Sequence, residues 1–280
     1  MPYFWSSFRT KMSFLSLYLT IELIAVLSVA LIAFSLELGK VVHFDALLFT
    51  GTPLAFLLGI KLPTIMHNAV HGNFKKLNFL IGELSSQFIL ISFGVVCINH
   101  TFHHSKPDTD EDPHAPMEKG FLIYLLTCLH SGVDVIRKRF YKYHGESSLT
   151  KAVFNYNVAV HFISIPLRLL AFYALLGPAL MLMIYLPAFV AFTFTFAHVN
   201  YITHQDDENG ETAILNKDSN PWYKFVNFVA DGIYYHKNHH KNPNLYNPKF
   251  LSNSQIQKVK SEEIRCKGIG ENLGKISIIS

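Results

Sequence analysis

Apolar stretches of close to 20 residues alternate with polar segments along most of this chain. About 20 helical residues cross the hydrocarbon core of a bilayer, and the stretches predicted to do so are residues 14–36, 44–66, 159–176 and 179–199. Gly177 and Pro178 separate the last two and are typical of a turn, so a helical hairpin is expected there. The pattern predicts an all-α integral membrane protein with four transmembrane helices in a single domain, residues 1–280.

A fifth apolar run, residues 77–98, is predicted to be interfacial or re-entrant rather than a membrane span. Glu83 and Gln87 lie inside it, which suits a helix at the membrane surface better than a helix in lipid. A straight crossing would also separate the histidines on its two sides by about 30 Å. Aromatic-rich segments at 121–129 and 222–235 are further candidates for interfacial helices.

Two ionisable residues, Glu22 and Arg168, lie inside predicted spans. A charged side chain within a membrane helix is by default interpreted as functional. The alternative is that each lies near a membrane face and reaches water with its polar end.

Composition and charge support a membrane protein and suggest its orientation. Only 16% of the 280 residues are charged, compared with about a quarter in soluble domains. All Lys and Arg residues except Lys40, Lys61 and Arg168 lie in the N-terminal tail, the 68–157 loop or the C-terminal region. The positive-inside rule therefore places both termini and that loop in the cytoplasm. The basic residues show no pattern of nucleic-acid binding, and three scattered cysteines argue against disulfides or a thiolate metal site.

Histidine spacing carries the chemical information. The chain has one HxxxH box and two HxxHH boxes, formed by His67 and His71, by His100, His103 and His104, and by His236, His239 and His240. Helix positions i, i+3 and i+4 share a face, so each box is expected to present its imidazoles to one point. Two HxxHH boxes arise by chance in only about one such chain in a thousand, which indicates a metal site.

A fourth histidine group follows the last span, where Asn200 and His204 are four residues apart. With the predicted topology, all the groups lie on the cytoplasmic side, and nine imidazoles converge there. Neutral imidazole suits Fe, Zn, Cu and Ni. Nine histidines are too many for one ion but suit two, with four and five ligands. The absence of HExxH argues against a membrane zinc protease.

The order and spacing of the three boxes resemble the membrane fatty acid desaturase superfamily, which also contains alkane, carotenoid and lipid hydroxylases. The DEDPH run, Asp110–His114, is similar too. The resemblance implies four membrane helices and a cytosolic cap that holds two non-haem irons, with molecular oxygen as co-substrate. It implies that the nine histidines are the iron ligands, that Asn200 holds a metal-bound water, and that no further catalytic residue is needed.

The implied substrate is an acyl-lipid or acyl-thioester within the membrane, and the implied partner is a separate electron donor of the cytochrome b5, ferredoxin or rubredoxin type. The chain lacks the HPGG-like motif of a fused cytochrome b5. Its first box is HxxxH, whereas acyl-CoA desaturases typically have HxxxxH; this favours acyl-lipid desaturases or the hydroxylase branches.

Carboxylates near the boxes are expected to orient the imidazoles. Asp110, Asp112 and Asp231 are the candidates, with solvated surface acids as the alternative interpretation. The leading functional hypothesis is an acyl-chain desaturase that introduces a double bond. A hydroxylase on the same scaffold is the nearest alternative, and a non-redox membrane metal transporter or sensor is the alternative from another class.

Overall fold

The computed structural model describes residues 2–44, 46–116, 119–206 and 212–252, and these form a mostly helical protein. The helices within these ranges are α1 (Pro2–Thr10), α2 (Phe14–Ser35), α3 (Ala46–His71), α4 (Asn78–Phe88), α5 (Phe93–Ser105), α6 (Phe121–Thr127), α7 (Val133–His144), α8 (Ser148–Leu180), α9 (Leu186–Thr203), α10 (Pro221–Val229) and α11 (His236–Lys241). Short 3-10 helices cover Leu38–Lys40, Lys75–Leu77 and Pro248–Phe250, and a π-helical segment, Met181–Tyr185, joins α8 to α9.

A small antiparallel ribbon interrupts the helical architecture. Strand β1 (His204–Asp206) pairs with β2 (Thr212–Ile214), and His204 lies opposite Ile214. The all-α prediction missed this ribbon, because three-residue strands leave no period-two pattern in the sequence. The ribbon matters because it fixes His204 directly after the end of α9.

Within the part of the chain that the structure describes, three helical segments are long and apolar enough to cross a membrane: Phe14–Ser35, Leu48–His71 and Ser148–Thr203. Less than a third of each is buried within the protein, and their exposed side chains include Leu17, Ile21 and Leu31. Soluble proteins rarely expose apolar surface on this scale. The segments therefore fit a membrane protein.

The 56-residue segment Ser148–Thr203 is not one straight helix. At 1.5 Å per residue it would measure about 84 Å, almost three times the thickness of a bilayer core. Gly177, with φ of 69° and ψ of 174°, interrupts its helical geometry at the predicted turn. Glycine adopts this backbone conformation without steric cost, and a Cβ here would collide with the carbonyl oxygen of Gly39.

The long helices pack as two parallel pairs. In the first, Ser16 at the start of α2 bonds Asn157 in α8, and Gly39 after α2 contacts Gly177 near the end of α8. In the second, Thr52 near the start of α3 bonds Met183 just before α9, and further along Gly59 lies against Ala188. Helices α3 and α9 therefore deliver His67, His71 and His204 to the same end of the molecule.

Helices α4 and α5 cover most of the fifth apolar run, residues 77–98, and meet at an angle of 97°. The absence of a side chain at Gly82 allows the ring of Phe93 to pack directly on α4 at the bend. Because the run does not continue straight, His100 on α5 comes back to His71 on α3. The large separation that a straight crossing would impose is thus avoided, and the interfacial or re-entrant placement of this run stays a prediction.

Candidate metal centre

Five histidines from three helices form the first group. His67 and His71 come from α3, His100 and His104 from α5, and His239 from α11, and their nearest ring nitrogens all lie within 4.8 Å of one another. The Nε2 atoms of His71 and His100 are 2.8 Å apart, as are those of His67 and His239. Such crowding of ring nitrogens brings lone pairs together at one point, as a metal ion requires.

Four histidines form the second group: His103 from α5, His204 from the start of β1, and His236 and His240 from α11. Nε2 of His240 lies 3.2 Å from Nε2 of both His103 and His236. The two groups are neighbours, because the ring of His104 in the first stacks on that of His240 in the second with centroids 4.3 Å apart. The arrangement offers two adjacent sites of five and four nitrogens.

Each HxxHH box is divided between the two groups, which corrects the expectation that a box converges on one point. His100 and His104 belong to the first group, whereas His103 belongs to the second; in the last box His236 and His240 share a group without His239. On a helix, residues i and i+4 differ by about 40° in direction, whereas i+3 and i+4 differ by about 100°. The HxxHH spacing therefore serves a pair of metal ions rather than a single one.

Two aspartates orient histidines of the second group. Nδ1 of His103 lies 2.9 Å from Oδ2 of Asp112, and Nδ1 of His204 lies 2.7 Å from Oδ1 of Asp108. Each contact places the ring proton on Nδ1 and leaves Nε2 with a free lone pair. Nε2 of His204 is buried without a hydrogen-bond partner among the described residues. This orphaned acceptor fits a metal ion.

Asp112 is itself held firmly in place. Backbone N–H groups of Asp108 and His114 donate to its two carboxylate oxygens at 3.0 Å and 2.8 Å. Burial raises the pKa of Asp112 to about 6, and the two N–H donors act in the opposite direction. The loop after the second box thus folds around one carboxylate that fixes the ring of His103.

The environment keeps the imidazoles of the last box neutral. Burial, and after it repulsion from neighbouring histidines, holds the pKa of His236, His239 and His240 far below the usual range. Neutral imidazole is the form that binds metal ions. The donor set, purely nitrogen within the two groups, suits Fe, Zn, Cu or Ni rather than Mg, Ca or Mn.

An apolar cavity, here called the central cavity, adjoins the histidines. It has about 720 Å³ of space, including the part that opens outward, and its walls include His67, His100 and His236 together with Ile89, Ile91, Phe196 and Val199. Like most small-molecule binding sites, it combines mainly apolar walls with a few polar side chains. An apolar compound that enters it would lie beside both groups.

The family comparison agrees with this geometry. A family model described as fatty acid desaturase matches residues 45–251, well over half of the chain. The chain belongs to the fatty acid desaturase family. No curated protein and no solved structure gave a significant match. The resemblance seen in the histidine boxes is confirmed, and membership implies an oxidoreductase whose catalysis depends on metal.

All nine histidines predicted as ligands in this desaturase-family chain lie in the two groups, and among the described residues no other histidine joins them. Whether they bind metal stays a prediction. Asn200 lines the central cavity, and its Nδ2 donates to the carbonyl of Phe196 at 2.9 Å. Of the other histidines, His198 meets the hydroxyl of Tyr234 at 2.5 Å and His144 meets the carbonyl of Phe8 at 2.8 Å.

Of the three carboxylates predicted to orient a histidine, one does so in the structure. Asp112 reaches His103 as expected, but Asp110 is exposed, and Asp231 pairs with Lys61 instead of a histidine. Asp108 takes the role beside His204 that the sequence analysis did not assign. The acidic run after the second box offers carboxylates at 108, 110, 111 and 112, and only the fold of the loop selects two of them. Asp108 adopts a positive φ of 60°, which its sequence position does not reveal.

Proposed function

We propose that this protein is an oxygen-dependent di-iron desaturase that introduces a double bond into a fatty acyl chain. The observation that carries the proposal is the pair of adjacent histidine groups, with five and four ring nitrogens, beside an apolar cavity. Membership of the fatty acid desaturase family supports the reaction class. Iron is the metal that this family resemblance implies, and the all-nitrogen donor set is compatible with it.

The proposal assigns one iron to each group. His67, His71, His100, His104 and His239 would hold the first iron, and His103, His204, His236 and His240 the second. Asn200 would hold a water bound to the metal, as the family resemblance implies. When bound, the irons would supply the activation of oxygen that oxidation of an unactivated C–H bond requires.

The chain's own residues position the substrate and exclude water. The apolar walls of the central cavity, with Ile89, Ile91 and Phe196, suit a hydrocarbon chain of an acyl-lipid or acyl-thioester. Asp112 and Asp108 hold the rings of His103 and His204 in fixed orientations. An acyl segment in this cavity therefore lies beside rigid imidazoles in surroundings of low polarity.

The topology that best serves this function has four membrane spans. The break at Gly177 permits Ser148–Thr203 to cross twice, and α2 and α3 supply the other two crossings. In this arrangement both termini and the histidine groups face the cytoplasm, where the short helices and the ribbon form a cap. A separate one-electron donor of the cytochrome b5, ferredoxin or rubredoxin type would then reach the site from the cytoplasm.

A hydroxylase on the same scaffold is the second candidate, favoured by the HxxxH spacing of the first box, His67 and His71. The two reactions differ in their products. Mass spectrometry of membrane lipids from a host with and without the protein is expected to show new double bonds in acyl chains. An alcohol without an alkene would replace the desaturase proposal with the hydroxylase.

Replacing a predicted ligand tests the metal assignment directly. His239→Ala removes one nitrogen from the first group, and we expect loss of bound iron together with desaturation below detection, because the ion loses a bond and its geometry. His144→Ala is the matched control, since His144 contacts the Phe8 carbonyl away from both groups. Iron content and product formation are measured for both variants. Normal turnover by His239→Ala would contradict the assignment.

A further inference from the structure

A second cavity lies next to the central cavity, and the proposed function makes no use of it. This side cavity is bounded by apolar residues of α2, α5, α7 and α8, such as Leu19, Ile136 and Phe154. Four polar side chains also face it: Asn99, His130, Asn157 and His161. The mixture of apolar walls and a few polar groups is typical of a site that binds something small.

The polar groups of the side cavity have unmet hydrogen-bonding capacity. Oδ1 of Asn99, Nδ1 of His130, Nδ2 of Asn157 and Nδ1 of His161 are all buried without a partner among the described residues. The side chain of Ser16 donates to Oδ1 of Asn157 at 2.7 Å, and this contact fixes which end of the amide stays unpaired. Asn99, Asn157 and His161 are each more than nine-tenths buried. Buried polar atoms in folded proteins nearly always have partners, often ordered water.

The size of the side cavity selects its occupant. About 40 Å³ of it can hold the centres of water-sized molecules, and one water needs about 10–15 Å³. The space therefore holds about three waters, each of which makes about three hydrogen bonds. Two imidazoles without a carboxylate are too few ligands for a metal ion, and a lipid chain would leave all four polar atoms unpaired.

The side cavity adjoins the central cavity. Asn99 and Leu129 line both of them, and Asn99 immediately precedes His100 of the first histidine group. At the other end, His130 lies in the turn between α6 and α7 and is only half-buried. A chain of waters from His130 past Asn157 and His161 to Asn99 would span the distance from a partly exposed residue to the wall of the site.

We propose that the side cavity holds a chain of about three water molecules that carries protons to the central cavity. This inference rests on the proposed function. Formation of one double bond consumes one O2, two electrons from the donor protein, two protons from solvent and two hydrogens from the acyl chain, and yields two waters. The central cavity is largely apolar, and a polar route beside it would deliver the two solvent protons without opening it to bulk water. The side cavity supplies this polar route, and Asn99 lies at the end of the route that adjoins the central cavity.

Radiolytic footprinting of the full-length protein in 18O-labelled water tests the water chain without reference to activity or bound iron. Hydroxyl radicals form where water is held, so we expect the side chains of His130 and His161 to incorporate 18O faster than their burial predicts. Asn157→Leu keeps the side-chain volume but removes the amide, and is expected to lower that labelling several-fold. Thr193→Val is the matched control, because the hydroxyl of Thr193 is also buried, has no partner within the described ranges and lines neither cavity.

Slow labelling of the wild-type side cavity, equal to that of dry core residues, would overturn the proposal, and this measurement needs no variant. The labelling measurement does not depend on turnover. Its result on the bound waters therefore stays valid even if the protein proves not to be a desaturase. Loss of iron or of product in the His239→Ala experiment, by contrast, concerns only the proposed function.

Steady-state kinetics test the role of the water chain. In Asn157→Leu with normal iron content and thermal stability, we expect kcat to fall about tenfold, KM to stay constant and the solvent deuterium isotope effect to increase. Asn157→Ser, which restores a hydrogen-bonding group and room for water, is expected to recover most of kcat. A rise in KM with unchanged kcat would show instead that the side cavity binds the polar part of the substrate, which contradicts a proton route.

Discussion

Two buried polar regions of this protein are built in opposite ways. The histidine groups bring the ring nitrogens of nine histidines together. The second region, here called the Arg168 cluster, consists of Arg168 with Glu22, Gln87, Ser92 and Ser164. Both are largely buried within the protein, where polar groups are costly unless they are paired.

The Arg168 cluster satisfies its own hydrogen bonds. The guanidinium donates to Oε1 of Gln87 at 2.6 Å, to the carbonyl of Leu90 at 3.0 Å and to Oγ of Ser164 at 2.7 Å. Its remaining nitrogen lies 3.6 Å from the carboxylate of Glu22, which accepts from Gln87 and Ser92. These contacts join α2 and α8 to the bend between α4 and α5. Glu22 and Arg168 therefore pair with each other inside the protein rather than reaching water.

The comparison distinguishes polar side chains that stabilise the fold from polar side chains that form a binding site. In the Arg168 cluster each of the five side chains has a hydrogen-bond or ion-pair partner within the protein, so the cluster needs no ligand, and it connects α2 and α8 to the bend that brings His100 to His71. In the histidine groups the ring nitrogens lie within 4.8 Å of one another, and a cation at their centre would match the lone pairs that they present. An unmatched buried set is thus the better indicator of a binding site than burial or charge alone.

The largest expected effect on stability comes from disrupting the Arg168 cluster. Arg168→Met leaves the Glu22 carboxylate and the Leu90 carbonyl without their partner, and we expect the free energy of unfolding to fall by about 3–5 kcal/mol. Unfolding of metal-free protein in detergent measures it. Lys151→Ala, which breaks an exposed pair with Glu146, is the control and is expected to change little. A loss below about 1 kcal/mol in Arg168→Met would show that the bend does not depend on this cluster.

Metal removal is expected to reduce stability through the histidine groups and not through the Arg168 cluster. An ion present at about a hundred times its dissociation constant stabilises the native state by about 2.7 kcal/mol. Chelation should therefore lower the unfolding midpoint of the wild type, whereas the midpoint of His239→Ala should respond less because its first group is already incomplete. Equal responses of the two proteins would contradict metal binding at His239.

A smaller effect is expected from the carboxylate that orients one histidine. Asp112→Asn retains the shape of the side chain but removes the charge beside His103, and metal affinity should fall about 10–100-fold. Asp110→Asn makes the same change two residues away on an exposed side chain and should leave affinity unchanged. Iron titration of the purified variants distinguishes them. Equal affinities would mean that Asp112 serves the loop rather than the metal site.

Residue spacing predicted much of the site. The i, i+3, i+4 pattern indicated eight of the nine histidines, because helical geometry is local and needs no knowledge of the rest of the fold; His204 was indicated by its position four residues after Asn200. The loop after the second box was less predictable. Asp108 and Asp112 contact histidines while Asp110 is exposed, and four acidic residues in one short run carry no signal that distinguishes them.

The elements of the fold also divide into features that the sequence predicted and features that it did not. Apolar length predicted the membrane-type helices, and Gly177 indicated the break in Ser148–Thr203. The structure extends the second helix to His71, beyond the predicted end at residue 66, because the apolar pattern fades where that helix enters the histidine groups. The ribbon that follows α9 had no sequence signal at all.

The sequence by itself determined the helices, the membrane character and the set of clustered histidines, since each depends on residue type and on spacing within one or two turns. Only the tertiary structure decided that each HxxHH box serves two sites, that Asp108 orients His204, and that Arg168 pairs with Glu22. These contacts join residues up to 172 positions apart in the sequence. Their partners are chosen by the packing of helices and by the bend between α4 and α5, which no local pattern records.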